Sequence, residues 1–190
     1  MDSTTLHNIA TFAYLFATFF YVIYLAFRKK AVGAVATATA AVGVVVHAVG
    51  KTLRWVESYR MGIGHAPLSN MYESMSFFAL CVMAAYLLVE WRFKHKTLGA
   101  VVAPIAFVIL AANALFFPDE IRPLVPALQS DWLLYHVITS FVSYGAFAVS
   151  FAVSILYLIK MRAEKKGMDE DSLLRMFPDL KVLDEVNYKS

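Results

Sequence analysis

In a chain of 190 residues, 60% of positions are apolar and 16% charged, which excludes a disordered, collagen-like or disulfide-stapled chain and exceeds what a core of this size can hide from water. The single cysteine, Cys81, lies inside an apolar run and rules out a paired-cysteine redox or zinc site within the chain. The formal charge of +3 sits in short clusters between apolar blocks instead of on one face, which argues against nucleic acid as a partner.

A helix needs about 20 mostly apolar residues to cross ~30 Å of hydrocarbon. Five runs reach that length, roughly 9–27, 31–50, 71–91, 98–117 and 132–159. They are continuous and lack the in-out alternation of a barrel wall, so the expected fold is all-α, a polytopic membrane helical bundle over 1–160. Ahead of the first run, MDSTTLHN carries no Lys or Arg, and that span is expected to remain in the mature protein. In the second run, Gly33, Thr37 and Ala41 form a small-xxx-small stripe suited to close helix packing. The third carries Glu73 and Glu90 near its ends, where carboxylates are expected to reach the headgroups, and the fifth is long enough to tilt or project. Residues 161–190 read as a charged cytoplasmic tail or loop in which Pro178 opens an amphipathic helix, DLKVLDEV, with its acidic residues solvated.

Basic residues set the orientation. One side receives ten of them: Arg28, Lys29, Lys30, Arg92, Lys94, Lys96, Lys160, Arg162, Lys165 and Lys166. The other receives four: Lys51, Arg54, Arg60 and Arg122. The expected arrangement has the N-terminus outside, the C-terminus cytoplasmic, and two longer outer loops at 51–70 and 118–131 that carry the functional face.

No Ser/His/Asp spacing, glycine-rich phosphate loop or HExxH is present, so the chemistry falls to five histidines. His7 and His95 read as surface residues beside the membrane. His47, near the outer end of the second helix, is either hydrogen-bonded to a neighbouring helix or a ligand. His65 stands in GIGHAPLSNMYES, where Gly62, Gly64 and Pro67 shape a turn, Ser69 or Asn70 caps the third helix, and Glu73 sits at its positive dipole end. His136 follows Trp132 by one turn and leads a stripe of Ser140, Ser143, Phe147, Ser150 and Ser154 that should face a partner or a cavity, not lipid. A neutral imidazole there could bind haem iron axially, with Trp132 and Tyr135 as flat aromatic surface. The same stripe could equally be a packed polar seam with Trp132 as an interface anchor.

Two runs, WVESYRMGIGHAPLSNMYES at 55–74 and WLLYHVITSFVSYGAFAVSF at 132–151, together with the closing LDEVNYKS, resemble the first half of the membrane haem-handling protein of system II cytochrome c biogenesis, the CcsA or ResC type. The resemblance implies a polytopic helical protein that takes haem b, presents it at the outer membrane face and joins its vinyl groups to the thiols of an apocytochrome c CxxCH motif. In that family two histidines flank an external tryptophan-rich segment and hold the outer haem. The first lies in the motif matching 132–151, which makes His136 the implied axial ligand, with Trp132 beside it; His65 and His47 stay as secondary candidates. The implied partners are haem, apocytochrome c, membrane lipid and a companion membrane subunit, in a bacterial cytoplasmic or thylakoid-type membrane. The sequence has three scattered tryptophans, Trp55, Trp91 and Trp132, and neither the tryptophan-rich segment nor the second outer histidine, so half of a haem site is the expectation. Two other functions remain open at this point: a self-contained b-type cytochrome with haem between His136 and a histidine such as His47, and a cofactor-free permease-like or structural subunit.

Overall fold

The computed structural model of the chain describes residues 2–124, 129–167 and 173–189. Its elements are α1 (Ser3–Phe27), α2 (Lys30–Arg60), α3 (Met71–Phe93), α4 (Gly99–Phe116), α5 (Asp131–Lys165) and a short α6 (Leu180–Lys189). No strand occurs among the described residues, and α1 to α5 are each part of a helical stretch long and apolar enough to cross a membrane. The protein is a polytopic helical membrane bundle. The expected outer loop at 118–131 and the tail at 161–190 include residues 125–128, 168–172 and 190, which lie outside the described residues.

Consecutive spans run up and down. The short connections α1–α2 and α3–α4 lie at one end, called here the link end, and the segments after α2 and α4 lie at the other, the loop end. α1 packs between α2 and α4, while α3 packs on α2, α4 and α5. Helix α1 starts at Asp2, whose carboxylate accepts the Thr5 N–H at 2.9 Å, and α3 starts at Asn70, whose side-chain oxygen accepts the Glu73 N–H at 2.8 Å.

Small residues on α2 do bring a helix close, along a different line from the one expected. The buried face is Gly33, Ala36, Ala40, Gly43, His47 and Gly50, whereas Ala41 is exposed. Steps of four residues overshoot a helical turn by about 40° each, so a strict four-residue stripe drifts off the face, and alternating steps of three and four stay on it. A Cβ built on Gly43 would meet the Tyr14 ring at 2.8 Å, which shows α1 seated directly on the α2 backbone.

Three further expectations are corrected. Glu73 and Glu90 do not reach headgroups: they are 0% and 5% exposed, held inside the bundle by donors described below. His7 is buried, not at the surface. Residues 51–60, expected to open an outer loop, continue α2, and Lys51 and Arg54 turn inward. Helix α5, at 35 residues and about 52 Å, exceeds the hydrocarbon thickness as expected. Its link-end half is partly covered by α6, whose Leu183 and Val186 are buried and whose Asp184 is exposed.

Candidate functional site

At the loop end, polar side chains form two bonded groups, one buried around Glu73 between α2 and α3 and one part-buried at Glu57 between α1 and α2. Arg54 Nε donates to Glu73 Oε1 at 2.9 Å, and Glu73 Oε2 accepts the Ser69 N–H at 2.9 Å and its hydroxyl at 2.8 Å. Lys51 Nζ donates to the carbonyl oxygens of Pro67, at 3.1 Å, and Glu73. Glu57 accepts the Ser3 N–H at 2.9 Å and the Ser3 hydroxyl. Charges at this depth are tolerated only when paired or bonded to carbonyls. Here they fix the start of α3 to the end of α2, and the N-terminus of α1 to the end of α2.

The connection after α2 is built on that base. Ser58 C=O accepts the N–H groups of Ile63 and Gly64 at 3.0 and 3.1 Å, and Gly62 and Gly64 sit at φ +74° and +71°. A Cβ at Gly62 would meet nothing, so glycine is required there for the left-handed backbone and not for space. Ser58 Oγ accepts the His65 N–H at 3.1 Å. The His65 ring lies between two carbonyl oxygens, Ala66 at 2.8 Å from Nδ1 and Arg122 at 2.7 Å from Nε2. Asn70 Nδ2 donates to the Glu120 carbonyl at 3.3 Å, which with the His65–Arg122 contact staples the segment after α4 onto this connection, and Thr4 donates to Asp119 at 2.8 Å, which ties the same segment to α1.

Between these two stapled segments and the first turns of α5 lies a cavity of about 510 Å³, walled by Trp55, Tyr59, His65, Leu133, Leu134 and Val137 among others. His136 and Trp132 are on the same turns of α5 but not on the cavity wall; Trp132 is 81% exposed and His136 is exposed. The face of α5 that meets the bundle carries Gly145, Val149, Ala152 and Leu156, so His136 stands nearly opposite it. Along its stripe, Ser143 and Phe147 are exposed, Thr139 and Ser143 turn their hydroxyls onto carbonyls of the preceding turn, and Ser150 reaches Asn187 of α6. Ser140, Ser150 and Ser154 of the stripe are half-buried. No hydrogen bond engages the His136 ring among the described residues, and Tyr135 lies beside Trp132 with ring centroids 6.2 Å apart.

The structure does not bring His47 to this face. His47 is fully buried between α1, α2 and α3, with Tyr14 Oη 3.2 Å from Nδ1 and Ser76 Oγ 2.9 Å from Nε2. His7 packs edge-on against it at 5.2 Å, its Nδ1–H donating to the Ser3 carbonyl at 2.6 Å. Among the described residues, no three of His, Cys, Asp and Glu gather closely enough to hold a metal ion. The rings of His7, His47 and His65 are each within hydrogen-bond distance of a group of the chain itself. Lys51, Arg54 and Ser58 were missed as site-building residues, although with His47 they recur at four, three and four residues, a spacing that marks one helical face.

A family model described as Cytochrome C assembly protein matches residues 68–190. Cytochrome c biogenesis protein CcsA of Synechococcus elongatus is 38% identical over 160 residues, 82% of this chain and 48% of that protein. The protein of the same name from Gloeobacter violaceus is 35% identical over 158 residues, 81% of this chain and 45% of that protein. That of Picosynechococcus is 40% identical over 115 residues, 59% of this chain and 32% of that protein. The chain spans less than half the length of these curated relatives. The match over residues 68–190 takes in α3 to α6, the helices that carry Glu73, Glu90 and His136, and the chain belongs to the cytochrome c assembly protein family.

Proposed function

We propose that this chain forms the haem-holding half of a cytochrome c assembly apparatus, with its loop end on the extracytoplasmic side. His136 gives one axial nitrogen to haem b, with Trp132 as aromatic surface beside it. The observation that carries this reading is the position of His136: exposed, unengaged, and on a face of α5 turned away from its own bundle. The remaining histidines of the loop end already have their rings between donors or acceptors of the chain itself, or are enclosed. The companion membrane segment, which supplies the tryptophan-rich surface and the second axial histidine, packs on the exposed part of the α5 stripe.

Haem and apocytochrome c are substrates in this reading. Each thioether forms when a CxxCH thiol adds its sulfur and its hydrogen across a vinyl double bond, so the protein's task is placement of the two reactants. Holding reactants in a near-attack geometry can contribute roughly 7–11 kcal/mol. The stapled connections at the loop end suit that role, because they present a rigid rim instead of a free loop.

The test is haem content. His136→Ala should lower copurified haem by more than about tenfold, equivalent to 1.4 kcal/mol of binding, and added imidazole should restore part of it by occupying the vacated axial position. His95→Ala should do neither. Undiminished haem in the His136 variant returns the residue to a packing role.

A further inference from the structure

Helices α1 to α4 pack as a four-cornered bundle, with α1 against α2 and α4, and α3 against the same two. Near the loop end one residue from each helix turns into its centre: His7, Arg54, Tyr72 and Asn113, each at most 4% exposed. Arg54 and His7 both lie at the Tyr72 ring, the guanidinium carbon 5.0 Å from its centroid and the imidazole centroid 5.9 Å from it. A Cβ on Gly50, one turn before Arg54, would lie 3.3 Å from His7 Cε1, so His7 sits over the stretch of α2 towards which the Arg54 side chain is directed. Asn113 reaches the same level through α4. Gly99 is seated against Tyr21 and Tyr86, because a Cβ there would clash with both side chains. Fourteen residues towards the loop end from Gly99, Tyr21 and Tyr86, about 21 Å along each helix, stand Asn113, His7 and Tyr72.

Three buried side-chain polar atoms among the described residues have no hydrogen-bond partner, and this level holds all three: His7 Nε2, Arg54 Nη2 and Asn113 Oδ1. A buried polar atom left without a partner is costly, and three at one level of a bundle core point to a ligand that they share. Their chemistry selects it. The His7 Nδ1–H donates to the Ser3 carbonyl at 2.6 Å, which leaves the Nε2 lone pair as an acceptor. Asn113 Oδ1 also accepts, and Arg54 Nη2 donates. The ligand must therefore offer two hydrogens and a lone pair at one point. A halide or carboxylate brings no hydrogen; an ammonium ion brings no lone pair. Water brings both, and three hydrogen bonds are the usual number for a buried water. Glu73 already neutralises Arg54 at 2.9 Å, which suits an uncharged ligand.

We propose that one water molecule is bound at this level, accepting from Arg54 Nη2 and donating to His7 Nε2 and Asn113 Oδ1. Ser3 bonds both Glu57 and His7, and Arg54 bonds Glu73, so the water joins the Glu57 and Glu73 groups into one network and brings in α4 through Asn113. The stapled connections of the loop end then rest on a single bonded layer that spans α1 to α4. The site is independent of the His136 assignment.

The test is magic-angle-spinning NMR of the full chain in lipid bilayers with isotope-labelled histidine, in which magnetisation starts on water protons. The His7 ring signal should build up severalfold faster than that of His47, which is equally enclosed but has Tyr14 and Ser76 at its two nitrogens. Equal build-up at the two rings would overturn the water site in favour of direct contacts between side chains. Asn113→Leu removes one of the two acceptors and should slow the His7 build-up; an unchanged rate in the folded variant would overturn the three-sided site. Thermal unfolding gives a second reading. The midpoint lost in His7→Phe with Asn113→Leu should be smaller than the sum of the two single losses, because either change alone unseats the same water. Additive losses would overturn a shared ligand.

Discussion

Arg54 and Glu73 form an ion pair with Nε and Oε1 2.9 Å apart and side chains 2% and 0% exposed, which joins the last turns of α2 to the first turn of α3. Arg54 also lies over the Tyr72 ring at 5.0 Å, and its Nη2 has no partner among the described residues. The pair is asymmetric. Removing Arg54 leaves a carboxylate that still accepts from Ser69, whereas removing Glu73 leaves the Arg54 guanidinium without its carboxylate partner. Glu73→Ala should therefore cost more than Arg54→Ala, in the range of ~3–5 kcal/mol for breaking a buried pair. Thermal unfolding of the purified variants in detergent reads the order; a smaller loss in Glu73→Ala than in Arg54→Ala would contradict the asymmetry.

The crossings were legible because length and apolar content alone decide them, and the capping of α3 was legible because Asn70 and Glu73 stand at fixed spacing. Which face of each helix is buried was harder to read. In a membrane, lipid-facing and protein-facing positions are both apolar, so hydropathy cannot separate Ala41, which is exposed, from Ala40, which is buried. Polar residues carry the missing information. Glu90 is held by hydroxyls of Tyr21 and Tyr86 at 2.5 and 2.7 Å, Thr37 at 2.5 Å and Lys96 at 3.0 Å, donors spread over α1, α2, α3 and the α3–α4 connection. A single sequence shows the carboxylate and not its four donors. For His136 the spacing of its stripe can be read in the sequence, and the fold adds that His136, Ser143 and Phe147 are exposed.

Helix α5 comes close to α3 at Gly145, where a Cβ would meet the Cys81 backbone carbon and oxygen at 2.8 Å. Backbone cannot yield as a flexible side chain can, so Gly145→Val should push α5 outward and expose Cys81, which is 8% exposed in the wild type. Labelling of Cys81 by a membrane-permeant maleimide should rise severalfold in this variant. Unchanged labelling with intact folding would place the contact elsewhere.

The ten-to-four split of basic residues predicts that the loop end is extracytoplasmic. Ser58, though in the outer segment by sequence, is buried, so probes belong on exposed neighbours. In a background with Cys81 replaced by Ala, cysteines at Tyr59 and Asp119 should react with an impermeant thiol reagent in intact cells, and one at Lys94 should not. The reverse pattern would invert the orientation and place His136 on the cytoplasmic side.

The 190-residue chain by itself should not mature a cytochrome c. In the function proposed above, an iron held from His136 would have one protein ligand, because His65 lies between the Ala66 and Arg122 carbonyls and His47 is enclosed between Tyr14 and Ser76. Trp132 and Tyr135 give aromatic surface on one side only, too little to fix where both vinyl groups point when two thiols arrive. Since placement can contribute roughly 7–11 kcal/mol of barrier lowering, loosely oriented haem should leave the attachment rate negligible. Coexpression with a membrane partner carrying a tryptophan-rich external segment and a further histidine should restore attachment. A bulky substitution on the exposed part of the stripe, Ser143→Trp, should weaken that rescue, while Leu88→Trp at an exposed position on α3 should not. The assay is covalent haem on a CxxCH reporter in cells lacking other assembly machinery. Attachment by the isolated chain would mean that a second axial ligand is present after all, and His65, released from the Arg122 carbonyl, is the residue to replace next.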